Sequence, residues 1–222
     1  MQTLEAVIFD FNGVIADDLE IHLGNFVELA KRHGSAATKA DFLKILHSPT
    51  IQKMRLIVET GSDRKDTELL LKENSEMYAK SVAGKSVLFP RAEEVLEALA
   101  KHFPLALVSN VFRPKLEAAI TAKAKKCFRF IITAEEIEHP KPAPDSLVLA
   151  AKRLGVKPEN CAYVGDSELD MLAARGAGMV AIGVAKNGSI KKSLEEKGAH
   201  LIVSNISELP SAIALVEKFE SG

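Results

Sequence analysis

Four loci in this sequence carry groups that could act together on a phosphoryl group. Asp10 ends the apolar run Ala6-Val7-Ile8-Phe9 and is followed at once by Phe11-Asn12-Gly13, a turn signal. Ser109-Asn110 directly follows the run Leu105-Ala106-Leu107-Val108. Lys141 sits in the stiff loop His139-Pro140-Lys141-Pro142-Ala143-Pro144, and Gly165-Asp166 follows a fourth-strand run, with Asp170 four residues on. Alone, Asp10 reads as a residue capping its turn. With the other three it reads as chemistry: a carboxylate can attack phosphorus and form an aspartyl-phosphate. Asp10 and Asp166 can hold Mg²⁺, a hard ion that takes a few carboxylates plus waters and phosphate oxygens. Lys141 supplies a point charge and Ser109 a hydroxyl for the charge spread over a transferring phosphoryl group. No pattern fits a Ser-His-Asp triad, a zinc site or a glycine-rich phosphate loop.

These loci need a scaffold that brings strand ends together. Six short apolar runs stand out: Ala6–Phe9, Leu105–Val108, Phe130–Ile132, Cys161–Val164, Val180–Val184 and Leu201–Val203. From the second onward they alternate with amphipathic helical patterns, the signature of parallel strands joined by crossover helices. Pro90 and Pro144-Asp145 mark helix starts, while Gly155, Gly178 and Gly198 mark helix ends. The expected fold is α/β, a doubly wound Rossmann-like parallel sheet whose strand ends converge on one crevice. Residues 16–84 contain no clear strand. Phe26, Leu29 and Ala30 share one helical face, Thr38-x-x-Asp41 resembles a capping box, and Leu69 to Val82 forms a last helix. The expected organisation is a core of residues 1–15 and 85–222 with an inserted all-helical cap, residues 16–84, lying over the strand ends. Gly84-Lys85-Ser86 is the return linker.

At 222 residues the chain can bury a sizeable core. Hydrophobic residues make up 47%, an ordinary share, and no window approaches the length of a membrane span. The start Met1-Gln2-Thr3-Leu4-Glu5 lacks the basic-then-apolar pattern of a secretory signal. Two cysteines, Cys127 and Cys161, suggest neither a disulfide framework nor a metal cluster, so the expected location is cytoplasmic. A net charge of −1 gives no footprint for nucleic acid, and the lysines between 123 and 126 read as a solvated helix end. The expected partner is a small phosphorylated metabolite, bound by a monomer or small homo-oligomer, with no nucleic acid and no membrane.

The four loci together resemble the motifs of haloacid-dehalogenase-superfamily phosphatases. Phe9-Asp10-Phe11-Asn12-Gly13-Val14 is similar to the superfamily's first motif, Ser109-Asn110 to its second, Lys141 in Lys-Pro-x-Pro-Asp to its third, and Gly165-Asp166-Ser167-x-x-Asp170 to its fourth. The position of the helical insert resembles the subgroup that includes phosphoglycolate phosphatase and β-phosphoglucomutase. The resemblance implies an Mg²⁺-dependent phosphoric monoester hydrolase. Asp10 would be nucleophile and metal ligand, with the Asn12 backbone carbonyl and Asp166 as further ligands and Asp170 behind them in the metal site. Ser109 and Lys141 would hold the phosphoryl group. Asn110 would fix the loop after its strand with its amide in reach of the phosphate site.

One residue departs from that pattern. The superfamily's phosphatases place an Asp two positions after the nucleophile as general acid and base, and this chain has Asn12. An amide has no proton to give at neutral pH and takes none from water. Loss of such help costs roughly 10²–10⁴-fold, about 3–5 kcal/mol of barrier. Four accounts stay open: substrates with undemanding leaving groups such as acyl or enol phosphates; a proton from Asp17 or Asp18, which otherwise read as helix-start carboxylates; a natural or introduced Asp-to-Asn change that disarms the enzyme; or binding of phosphorylated ligands without turnover. A phosphomutase would need the same missing group. Dehalogenases and phosphonatases of the superfamily also lack the second Asp, but with Tyr or Ala in its place. In the insert, the turn His47-Ser48-Pro49-Thr50 resembles the loop that enters the site in this subgroup, and Arg55 with Lys53 could meet a second anionic group on the substrate. His22 is expected to have a packing or hinge role, His139 a structural one, and Met171 and Met179 to fill the core.

Overall fold

Continuous apolar runs make strands that must be covered on both faces, and this chain supplies helices for both. A computed structural model describes residues 3–46, 48, 50–62 and 66–219, the last four of these by backbone only. Strands β1 (Ala6–Phe9), β2 (Leu105–Val108), β3 (Phe128–Ile132), β4 (Cys161–Gly165), β5 (Val180–Val184) and β6 (Leu201–Val203) form one sheet in the order β3-β2-β1-β4-β5-β6. All five pairings are parallel, and β1 lies between β2 and β4. The chain winds outward from β1 in both directions, so the strand order reverses there and leaves a crevice at the carboxyl edge.

Side chains alternate between two cores. Val7, Phe9, Leu105, Leu107, Ala162, Val164, Ile182 and Val184 face one layer, with Leu96, Leu99, Leu116 and Leu209 of the covering helices. Ala6, Ile8, Ala106, Val108, Tyr163 and Ala181 face the other, against Leu147, Ala150, Met171 and Leu194. The first layer is built by helices α5 (Ala92–Ala100), α6 (Arg113–Ala119), α7 (Ala122–Lys126) and α11 (Leu209–Phe219). The second is built by α8 (Asp145–Leu154), α9 (Glu168–Gly176) and α10 (Gly188–Glu196). Met171 and Met179 are buried in the second core, as expected of gap-fillers.

Among the described residues between β1 and α5, the named elements are helices: α1 (Leu19–Arg32), α2 (Lys39–Lys44), α3 (Thr50–Thr60) and α4 (Thr67–Val82). They bury a small core of their own around Leu23, Phe26, Leu29, Ala30, Phe42, Met54, Ile57 and Leu70. The capping box read at Thr38 is present, with the Thr38 hydroxyl accepting from the Asp41 amide and the Asp41 carboxylate returning to the Thr38 backbone. Gly155 and Gly178 adopt left-handed φ just past α8 and α9, where only glycine enters without strain. β3 begins two residues before the apolar run that marked it, because exposed Arg129 interrupts the pattern on an edge strand.

Candidate active site

Each motif lies where a strand stops. Asp10 leaves β1 with its amide held by the Val164 carbonyl at 2.8 Å. Its carboxylate then projects from the carboxyl edge into a cavity of about 160 Å³. Ser109 and Asn110 follow β2, Asp166 follows β4, and the proline-bound loop before α8 carries Lys141 inward; all of them line the same cavity. The turn after Asp10 requires Gly13: its φ is +77°, and a Cβ there would lie 1.8 Å from Asp166 Oδ2. Glycine thus lets the β1 turn pass against the carboxylate that the β4 loop presents.

Lys141 is the hub. Its Nζ donates to Asp10 Oδ1 at 2.9 Å, to Asp170 Oδ1 at 2.6 Å and to the Tyr163 hydroxyl oxygen at 2.8 Å. Tyr163 in turn donates to Asp170 Oδ1 at 3.0 Å, and Asp170 Oδ2 accepts from the Ser167 amide and hydroxyl at 3.1 and 2.5 Å. Both Asp170 oxygens are therefore committed, so this residue anchors Lys141 and the start of α9. Burial works against the Lys141 ammonium, but Asp10 and Asp170 outweigh it and raise its pKa. Burial raises Asp10 to about 6 against the pull of Lys141. Asp166 is raised well above the carboxylate range by burial and by the charges of Asp170 and Asp10. Asp170 is held low, because Lys141 and its hydrogen bonds overcome burial.

Carboxylate oxygens of Asp10, Asp166 and Asp170 lie within 4.8 Å of one another. Two buried acids and a half-buried third, facing one ammonium, leave an excess of negative charge, and the donors are all hard oxygens. That is the environment a small dication relieves.

The surroundings of Asn12 differ from what the sequence alone suggested. Its Nδ2 donates to both oxygens of Asp18 at 2.9 and 2.8 Å and lies 3.1 Å from His22 Nε2. Asp18 stands at the N-terminal cap position of α1 but makes no side-chain cap bond. It is 2% exposed and also accepts from the Tyr78 hydroxyl and pairs with His22 Nε2 at 3.0 Å. Burial would raise the Asp18 carboxyl, yet bonds from His22, Tyr78 and Asn12 bring it down to about 2. Asp18 is thus a carboxylate at the start of α1, as the sequence suggested, but it is turned inward, and held that low it has no proton to donate near neutral pH. Asp17 is exposed and pairs with Lys186 at 3.0 Å.

His22 lines the cavity, stacked on Tyr78 at 4.5 Å between centroids. Its contacts with Asn12 and Asp18 go beyond a packing or hinge part. His139 is exposed and pairs with Asp145 at the start of α8. Arg55, expected at the substrate, is exposed and outside the cavity. Lys53 lines it instead: residues two apart on a helix face nearly opposite ways, so only one can look inward. Ser48 and Thr50 also line the cavity, while His47 and Pro49 lie outside the described residues. Asn110 lines it with its Oδ1 buried and unpartnered. The sequence reading passes over Tyr163, although a lone hydroxyl-bearing residue in an otherwise apolar strand is a usable signal, since a buried hydroxyl seeks a partner. Tyr78 and Lys115 gave no such signal.

Fold and site define a doubly wound α/β protein with an acid-and-lysine centre at its strand ends. The chain belongs to the haloacid dehalogenase-like hydrolase family, whose profile matches residues 7–184. It is similar to phosphoglycolate phosphatase of Escherichia coli (strain K12), 33% identical over 152 residues, 66% of this chain and 59% of that protein. The match thus spans less than two thirds of that relative's length. It is also similar to fructose-1-phosphate phosphatase YqaB of the same organism, 28% identical over 179 residues, 80% of this chain and 95% of that one. Among solved structures, CbbY from Rhodobacter sphaeroides in complex with phosphate superposes with a TM-score of 0.81 at 23% identity, covering 93% of this chain and 96% of that chain, a likeness of fold. No helix among the described residues is long and apolar enough to cross a membrane.

Proposed function

We propose that the protein hydrolyses a small phosphorylated metabolite through an aspartyl-phosphate on Asp10, with turnover that depends strongly on the leaving group. The observation that carries this reading is the meeting of Asp10, Ser109, Lys141 and Asp166, from four distant segments, in one cavity. The relatives named above as phosphatases act on phosphate esters of small molecules by their names, in keeping with this class.

In the first step an Asp10 oxygen attacks phosphorus and the bond to the ester oxygen breaks. The Lys141 ammonium, fixed by Asp170 and Tyr163, neutralises the phosphoryl oxygens, and Ser109 supplies a hydrogen bond to them. In the second step water attacks phosphorus, the bond to Asp10 breaks, and the carboxylate returns. Asp10, Asp166 and the Asn12 carbonyl would hold Mg²⁺, with Asp170 behind them. When bound, the ion supplies charge stabilisation for the phosphoryl oxygens. Both steps move a proton, onto the leaving oxygen and then off the water, and Asn12 can serve neither. A leaving group that departs as a stable anion bypasses the first need. Residues 16–84 would act as the cap that shields these steps from bulk water.

The test is turnover of an aryl phosphate and an alkyl phosphate with Mg²⁺. The aryl ester should be hydrolysed faster by about two orders of magnitude or more. Equal rates would remove the argument from Asn12. Binding of both esters with no hydrolysis of either would favour the disarmed, ligand-binding alternative.

A further inference from the structure

The Asn12 amide is held in one orientation. Its Nδ2 donates to both oxygens of Asp18, at 2.9 and 2.8 Å. That carboxylate is buried, accepts also from the Tyr78 hydroxyl, and has His22 Nε2 at 3.0 Å from its Oδ2. The groups turned toward it are thus donors. An amide turned the other way would set its own oxygen against two carboxylate oxygens, so the orientation does not reverse. Asn12 Oδ1 therefore points away from Asp18. It has no hydrogen-bond partner among the described residues and is not sealed from solvent. Asn12 lines the cavity beside Asp10 and Lys141, so this oxygen is what it offers there.

An amide whose N–H groups serve a carboxylate is polarised by it, and its oxygen becomes a stronger acceptor. Where the superfamily's phosphatases offer the leaving atom a donor, this chain offers an acceptor. An ester oxygen carries only lone pairs and gains nothing from Oδ1. A leaving nitrogen that bears hydrogen matches it, because its N–H can donate to Oδ1. Such a contact also favours the form of the substrate with its proton on nitrogen, the form whose amine departs neutral.

We propose that the site takes N-phosphoryl amines (phosphoramidates) and breaks their P–N bond, with Asn12 Oδ1 accepting from the N–H of the leaving nitrogen. This rests on the hydrolase reading and names a leaving group that suits it. In the reactive form, R–NH₂⁺–PO₃²⁻, the substrate itself brings the proton that Asn12 does not supply. An Asp10 oxygen bonds to phosphorus, the P–N electron pair goes to nitrogen, and neutral R–NH₂ leaves with both hydrogens. Water then bonds to phosphorus and the bond from phosphorus to Asp10 breaks. The Asp10 carboxylate returns, and H₂PO₄⁻ leaves with both hydrogens of the water. Neither step consumes an outside acid or base, and Oδ1 orients the water by the same hydrogen bond it gave the amine.

The experiment measures kcat/KM at pH 7.5 with Mg²⁺ for phosphoramidate, methyl phosphate and p-nitrophenyl phosphate, with Asp10→Ala as the background for spontaneous hydrolysis. The wild type should release ammonia and phosphate from phosphoramidate in equal amounts, with kcat/KM at least about tenfold above that for methyl phosphate. Asn12→Leu keeps the backbone carbonyl and removes the amide. Its turnover of phosphoramidate should fall at least about tenfold further than its turnover of p-nitrophenyl phosphate. A purely structural part for Asn12 would lower both alike, and that result overturns the proposal. Equal kcat/KM for phosphoramidate and methyl phosphate in the wild type overturns it without reference to any variant. If the wild type hydrolyses p-nitrophenyl phosphate but not phosphoramidate above background, the proposal falls and the hydrolase reading stands. If it hydrolyses none of the three, both fall.

Discussion

In the proposed mechanism Asn12 is the residue that limits how fast this site can work. Its amide already lies against the Asp18 carboxylate at 2.8–2.9 Å, with His22 Nε2 at 3.1 Å. An aspartate placed there would face a fixed anion, and like charge raises the pKa of the incoming acid. That is the environment a general acid needs near neutral pH. Asn12→Asp should raise turnover of an alkyl phosphate at least about tenfold and that of an aryl phosphate by much less. Steady-state rates of the two proteins on both esters check this, and an unchanged alkyl rate contradicts it. Asp10, Asn12, Ser109 and Asp166 come just after apolar runs, Asp170 lies in the first turn of a helix and Lys141 in a proline-rich loop, which is why the sequence singles them out as lining or flanking one cavity. Asp18 was not legible, because nothing in Asp17-Asp18 says which carboxylate turns inward. That is settled by Tyr78, sixty residues away, whose hydroxyl donates to Asp18. Arg55 was misplaced for a similar reason: helical phase, and not charge, selects Lys53 for the cavity.

At the scale of elements, the β1 turn and the β4 loop must approach closely for their acids to share a site. Gly13 permits this, and Gly13→Ala tests it. A Cβ would collide with the Asp166 carboxylate, and left-handed φ adds about 1–2 kcal/mol of strain. The variant should lose about 1–3 kcal/mol of stability in denaturant unfolding and most of its Mg²⁺-dependent activity. Wild-type stability and metal response would show that the turn has slack. The strands themselves were easy to read, since four of the six begin and end where their apolar runs do. β4 gains Gly165 and β3 gains two residues around Arg129, whose exposure on an edge strand no hydropathy pattern conveys. Helix ends at Gly155, Gly178 and Gly198 were legible because left-handed backbone favours glycine. The burial of Lys115 was not: α6 reads as a polar surface helix until α4 packs against it.

For the whole molecule, the account holds that one centre couples metal, phosphate and folding. Asp10 is raised from 3.8 to about 6, so between those values the folded state keeps a proton that the unfolded chain has lost. The stability this contributes is present at low pH and is lost as pH rises through about 6. Asp166 moves in the same direction. Mg²⁺ needs these carboxylates ionised, so its stabilisation should grow over the same range. Saturating Mg²⁺ should raise Tm by several degrees at pH 7.5 and by much less at pH 5, as calorimetric melting would show. Equal shifts at both pH values would separate the metal from the acid cluster.

The most direct test of the central claim compares Asn12→Asp with Asn12→Asp/Asp10→Ala on p-nitrophenyl phosphate, with and without Mg²⁺. The account predicts metal-dependent release of p-nitrophenol by the first protein and none above background by the second. Hydrolysis that survives the loss of Asp10, or that proceeds equally well without the metal, would contradict it.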